Sequence, residues 1–134
     1  MEYVTIGQVM RINANVLMGY HRVRDPDLLE SAVARPQASA FGQDAYATVY
    51  EKAAALLHSL VLNHPFRDGN KRTATLAMLL FLRMNGIEKN WLDENAYWFV
   101  LAVANGKRTV TQAAAWLRQH TVVKTSVPVK EEGG

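Results

Sequence analysis

Cysteine is absent from the 134 residues, which excludes disulfides and thiolate chemistry and suits a cytoplasmic protein. No apolar run approaches the roughly 20 residues needed to span a bilayer, so no membrane partner is expected. The opening Met1-Glu-Tyr-Val-Thr5 lacks a basic stretch followed by an apolar core, so no secretory leader is expected. No repeat with a period of roughly 20–50 residues is present, which argues against a solenoid. An excess of one charge is also missing. Fifteen Lys and Arg against twelve Asp and Glu leave a net +3, which suits nucleic acid, ATP or an acidic partner equally and selects none of them.

What is present is an ordinary globular composition, 49% hydrophobic and 20% charged. A chain of this length is one domain and can bury roughly two-thirds of its unfolded surface. Helical spacing starts at Thr5, a good N-cap, and runs through Ile6, Val9, Met10, Asn13, Val16 and Leu17 to a stop at Gly19. Asp25-Pro26 opens a second helix with a capping carboxylate and a proline in the first turn, and Arg35-Pro36 ends it. Residues 36–44 read as an irregular connection. Thr48-Val-Tyr-Glu51 is a capping box that opens a helix to Asn63, with Tyr50, Ala53, Ala54, Leu57, Leu60 and Val61 on one buried face. His58 on this helix reads as a packed, hydrogen-bonded residue.

The next helix runs from Asn70 to Asn85 and stops at Gly86. Leu76 to Leu82 make it apolar almost all round, which predicts a place at the centre of the domain. Asp93 is the expected cap of a helix that buries Ala96, Tyr97, Phe99, Val100, Val103 and Ala104 and stops at Asn105-Gly106. Thr109-Val-Thr-Gln112 is another capping box, opening a helix to about His120. Beyond that the periodicity is lost. The expectation is a single all-α domain over residues 1–120, with about six helices around a central apolar one, and a flexible tail over 121–134. No strand pair is expected.

One stretch is a poor packing motif. His64-Pro-Phe-Arg-Asp-Gly-Asn-Lys-Arg72 places a His, a carboxylate, an Asn and cations between two apolar helices. Pro65 and Gly69 break the helical pattern, so residues 64–69 form a turn. The helix that follows begins with N–H groups lacking intrahelical partners, at the positive end of its dipole, where anions bind. Gly69 tolerates positive φ and close approach of a ligand. Lys71 and Arg72 oppose the dipole, which makes sense where an anion neutralises them. Asp68 suits either a helix cap or Mg²⁺ beside phosphate. His64 suits proton acceptance from a hydroxyl, because an imidazole ordinarily titrates near neutrality.

These nine residues resemble the Fic/Doc signature, usually written HPFx(D/E)GN(G/K)R, and residues 25–120 look like a death-on-curing (Doc) type toxin. Ala34-Arg-Pro-Gln37, Glu51-Lys-Ala-Ala-Ala-Leu-Leu-His58 and Leu79-Leu-Phe-Leu-Arg-Met-Asn-Gly86 are similar to that branch as well. The resemblance implies a Fic fold with a short flap over 36–44, of which Gln37–Phe41 would dock a target by strand-like pairing. It implies His64 as catalytic residue, Asp68 as Mg²⁺ ligand, and Phe66, Gly69, Asn70, Lys71 and Arg72 as the nucleotide site. Lys71 stands where adenylylating relatives carry Gly, and Thr75 where they carry a second Arg. Both departures are shared with the Doc branch. Through that branch the resemblance implies transfer of phosphate from ATP to a Ser or Thr hydroxyl of a translation factor similar to elongation factor Tu, with growth arrest as the result.

Adenylylation through the same site is the nearest alternative, and a nucleotide- or partner-binding module without turnover is another. Direct nucleic-acid binding is not expected, because neither Lys107-Arg108 nor the Thr109 helix forms a basic recognition face. The inhibitory (S/T)xxxE(G/N) helix of self-restrained Fic proteins has no match in this chain. Restraint is therefore expected in trans, from a small antitoxin.

Overall fold

The structure, a computed structural model, describes residues 1–124; residues 125–134 of the expected tail lie outside them. The described chain runs α1 (Ile6–Val16), α2 (Pro26–Ala34), a 3₁₀ turn (Arg35–Gln37), β1 (Ser39–Ala40), β2 (Gln43–Asp44), α3 (Val49–Asn63), α4 (Asn70–Met84), β3 (Ile87–Lys89), α5 (Asp93–Ala104), α6 (Val110–Gln119) and β4 (Thr121–Val123). The domain is all-α in substance, with six α-helices and two minimal sheets among the described residues. None of these helices is long and apolar enough to cross a membrane.

Local chemistry explains most boundaries. Thr5, Thr48 and Thr109 each accept the N3 backbone N–H while the N3 Gln or Glu reaches back, completing three capping boxes. Each cap is worth about 1 kcal/mol. Asp25 caps α2, with Pro26 in its first turn. Two boundaries depart from expectation. Helix α1 ends at Val16, and Met18, not Gly19, takes the left-handed conformation at its end. Helix α5 is preceded by Leu92 in extended conformation, so Asp93 is its first helical residue and no cap. Tyr97, expected in the core, is exposed.

The central helix is α3, not the expected α4. Helix α3 is buried from Lys52 to Leu57 and from Ser59 to Val61, and it packs against α2, α4, α5 and α6. Helix α4 buries Thr73, Ala74, Ala77, Met78, Phe81 and Leu82, but Leu76 is 43% exposed. Hydropathy alone cannot separate an apolar stripe meant for the core from one left at a groove. Alanines 53, 54 and 55 let neighbouring helices approach α3 closely, which makes it the hub. On α6, Trp116 stacks between Phe99 and His120, with centroids 3.9 Å away on each side.

The absence of strand pairs is corrected twice. Within the flap, β1 and β2 pair antiparallel in the register Ser39–Asp44 and Ala40–Gln43. Phe41 and Gly42 form the two-residue loop, both at positive φ (54° and 78°), the geometry that matches strand twist in a tight hairpin. Later, β3 pairs with β4 in the register Ile87–Val123, Glu88–Val122 and Lys89–Thr121. The ordered domain therefore extends past His120 through the first residues assigned to the tail. Two three-residue strands are too short to announce themselves by alternation; they exist because the ends of α4 and α6 bring them together.

Candidate active site

The signature turn hangs between the C-terminus of α3 and the N-terminus of α4, and three groups of contacts shape it. His64 ends α3 in the left-handed region, at φ 48° and ψ 56°. Arg24 secures that end: its Nε donates to the His64 carbonyl at 2.7 Å and its Nη2 to the Asn63 carbonyl at 2.9 Å. The segment 22–25 then runs alongside the turn. Arg24 and Asp25 N–H groups donate to the Pro65 carbonyl at 2.8 and 3.1 Å, and Arg67 N–H donates to the Arg22 carbonyl at 2.7 Å. Val23 and Phe66 form an antiparallel bridge.

Asn13 supplies the third support. It is fully buried on α1. Its Nδ2 donates to the Asp68 carbonyl at 3.0 Å and to Thr73 Oγ1 at 3.1 Å, and its Oδ1 accepts from Arg22 N–H at 2.9 Å. One amide thus joins α1, the 22–25 segment, the turn and α4.

These supports shape an open cleft of about 300 Å³ lined by His64, Arg67, Asp68, Gly69, Asn70, Lys71 and Arg72. Helix α4 has Gly69 as its N-cap, with no side-chain capping bond. Its first main-chain bond within the helix is Thr73 N–H to the Gly69 carbonyl, at 2.9 Å. The N–H groups of Asn70, Lys71 and Arg72 consequently have no acceptor among the described residues. Such groups at the positive end of a helix dipole, with two cations beside them, attract an anion.

The expected site residues divide by their surroundings. His64, Asp68, Lys71 and Arg72 are exposed at the cleft. Asp68 Oδ1 accepts the Gly69 N–H at 2.8 Å, so Asp68 precedes the helix cap and does not serve as one. Its Oδ2 has no hydrogen-bond partner among the described residues. A single exposed carboxylate beside an anion cradle fits Mg²⁺, which takes one or two carboxylates and fills its shell with phosphate oxygens and water. Groups of three or more His, Asp or Glu suited to hold a metal by themselves are absent among the described residues.

Phe66 does not fit a nucleotide-contacting role, since its side chain is only 2% exposed and belongs to the core. Burying a Phe contributes about 1.5–3 kcal/mol, so the ring anchors the turn. Asn70 is also occupied. Its Oδ1 accepts from Phe66 N–H at 3.0 Å and its Nδ2 donates to the Phe66 carbonyl at 2.8 Å, closing the turn on itself. Gly69 has positive φ as expected, but a Cβ there would lie 3.1 Å from Val16 Cγ1 and 3.3 Å from Leu17 Cδ2. The glycine therefore admits α1, and ligand approach is not what its missing Cβ provides.

Sequence spacing missed Arg24, Arg67 and the role of Asn13. Asn13 left one trace, a polar residue at a buried position of an apolar stripe. The cleft also continues, through Lys71 and Arg72, into a groove of about 570 Å³ between α4 and α5, lined by Leu76, Leu79, Trp91, Tyr97 and Val100 among others.

Comparison with known proteins agrees with this geometry. A family model described as the Fic/DOC family matches residues 3–82, a span that contains the whole signature turn. The "Toxin Doc" of Mycolicibacterium smegmatis (strain ATCC 700084 / mc(2)155) is 48% identical over 87 residues, covering 65% of this chain and 67% of that protein. The "Protein kinase doc" of Escherichia phage P1 is 33% identical over 101 residues, covering 75% of this chain and 79% of that protein. A buried asparagine on the first helix that holds the signature turn, inside a span matched by the family model, leads to one conclusion: the chain belongs to the Fic/DOC family, in its death-on-curing (Doc) branch.

Proposed function

We propose that this chain is the toxin of a toxin–antitoxin pair, a transferase that moves the γ-phosphate of ATP onto a Ser or Thr hydroxyl of a translation factor similar to elongation factor Tu. The observation that carries this reading is the cleft itself. An exposed imidazole, Lys71 and Arg72 line it beside N–H groups that have no acceptor among the described residues. The kinase name of the phage relative supports the choice of phosphate.

In this reading His64 takes the proton of the acceptor hydroxyl as its oxygen bonds to the γ-phosphorus. The bond from that phosphorus to the β–γ bridging oxygen breaks, and ADP leaves. Lys71, Arg72 and the α4 N–H groups hold the phosphates. Asp68 would hold Mg²⁺, which supplies charge neutralisation between the phosphates. Such a reaction asks for positioning and charge stabilisation more than for covalent chemistry, so a small rigid cradle suffices. The α4–α5 groove adjoins the cleft at Lys71 and Arg72 and has room for the nucleoside.

Restraint in trans by a small antitoxin belongs to the same proposal, as does action in the cytoplasm. Adenylylation is the competing reading. The test is to incubate the protein with ATP, Mg²⁺ and purified elongation factor Tu and measure the intact mass of the acceptor. A phosphate increment is expected; an AMP increment or an unchanged mass rejects the proposal.

A further inference from the structure

The flap carries few contacts of its own. Residues 39–44 are all exposed, and a two-stranded hairpin is at best marginal in water. Its position must come from its roots, and both roots are tied to α3 by cations. Arg35, at the start of the 3₁₀ turn, donates from Nε to Tyr46 Oη at 2.8 Å, which closes the mouth of the flap. Its Nη1 donates to Ser59 Oγ at 2.8 Å and meets His58 Nδ1 at 2.9 Å. A guanidinium only donates, so His58 Nδ1 accepts and the ring is neutral with its proton on Nε2. Lys52 forms the second tie, donating from Nζ to the Pro36 carbonyl at 3.3 Å and to Asp44 Oδ2 at 3.2 Å.

The polar partners of Arg35 are a phenol, an imidazole and a hydroxyl, and among the described residues it forms no ion pair. Three neutral acceptors on two separate segments give direction to a guanidinium without the attraction of an opposite charge. The helix they grip also leads to the chemistry. Ser59 and His58 lie five and six residues before His64, about 8 Å along the axis of α3. Helix α3 is the most buried element and runs unbroken between them, so flap root, helix and imidazole move together.

We propose that Arg35 is a positioning residue that holds the flap at a set distance from His64 and thereby aligns the protein acceptor, not ATP. This rests on the phosphotransfer reading for its kinetic consequence, though not for its structural one.

Two measurements on the full chain test it. Hydrogen exchange of the Ala45 amide, which donates to the Ala38 carbonyl at 2.8 Å across the flap base, reports flap order without any substrate. Arg35→Lys reaches fewer acceptors and should speed this exchange about tenfold or more, the equivalent of one hydrogen bond. Ser59→Ala, which removes one tie, should speed it less. His58→Asn keeps an acceptor near the Nδ1 position and should leave exchange close to wild type, whereas His58→Leu should not. In transfer assays Arg35→Lys should raise KM for elongation factor Tu about tenfold while KM for ATP stays within about twofold. Unchanged Ala45 exchange in both Arg35→Lys and Ser59→Ala overturns the clamp. Equal KM changes for protein and ATP overturn its role in alignment. A wild-type protein that modifies no acceptor sinks the phosphotransfer reading instead, and the exchange experiment still decides the clamp.

Discussion

Asn13 Nδ2 donates to the Asp68 carbonyl at 3.0 Å, across 55 residues of chain. The turn that carries the candidate Mg²⁺ ligand is therefore suspended from the first helix. The same amide reaches Thr73 on α4 and the backbone of Arg22, so the cleft's geometry depends on a residue that does not line it.

Replacing Asn13 by Leu keeps the volume and removes all three bonds. The buried Thr73 hydroxyl and the part-buried Arg22 N–H and Asp68 carbonyl lose their partner, at about 1–3 kcal/mol for each group left unsatisfied away from water. Some relaxation is expected, so urea unfolding should show a loss of about 2–4 kcal/mol. A loss below about 1 kcal/mol would show that the suspension is unimportant.

His64 is exposed and held by its backbone, so its side chain is dispensable for folding. His64→Ala should lower phosphate transfer about 10²–10⁴-fold, the usual worth of a positioned base. Its thermal unfolding should stay close to wild type, within about 0.5 kcal/mol, because His and Ala both carry the Cβ that makes a left-handed φ costly. Full activity in this variant removes His64 from the mechanism.

Gly69 and Gly42 both have positive φ, but only Gly69 faces side chains. Gly42→Ala should lose about 1 kcal/mol from backbone strain alone. Gly69→Ala adds the intrusion on Val16 and Leu17, for a total of about 2–4 kcal/mol. Denaturant midpoints of the two variants compare them directly. Equal losses contradict the packing of α1 against the turn.

Lys71 and Arg72 stand against the dipole of α4, so each costs the free protein up to about 1 kcal/mol. Lys71→Gln should leave the melting temperature unchanged or raise it, while weakening ATP binding measured by calorimetry at low salt. Stability and affinity moving down together would mean that Lys71 is structural and holds no phosphate.

His58 is held below its ordinary pKa, first by burial and then by the charge of Arg35. The unfolded imidazole binds its proton near the ordinary value of about 6.5, and the folded one only at lower pH. The unfolded state therefore carries more protons across that interval, and stability rises with pH there. The contribution is complete above about 6.5 and declines as pH falls toward the folded value. Melting temperatures from pH 7.5 down to 5 should show this decline, and His58→Asn should flatten it. An identical pH profile in the variant assigns the dependence to another group.

Much of this protein is readable in the chain before folding. Thr5, Asp25, Thr48 and Thr109 mark four helix starts because capping is local chemistry, settled by a side chain and the N–H groups three residues on. The turn at 64–69 is legible for the same reason, as Pro65, Gly69 and the charges around them break the helical pattern. What needed the tertiary structure is everything that depends on neighbours distant in sequence. Apolar content pointed to α4 as the centre, yet the small residues of α3 let four helices crowd around it and left Leu76 at a groove. Phe66 and Asn70 have the residue types of a ligand site, but packing and the Phe66 backbone claim them. Arg24 and Arg35 carry no local signal of these roles, and Asn13 shows only as a polar residue on an apolar stripe. Their partners lie between 9 and 60 residues away, and only the closing of the fold brings those hydrogen-bonding groups within reach.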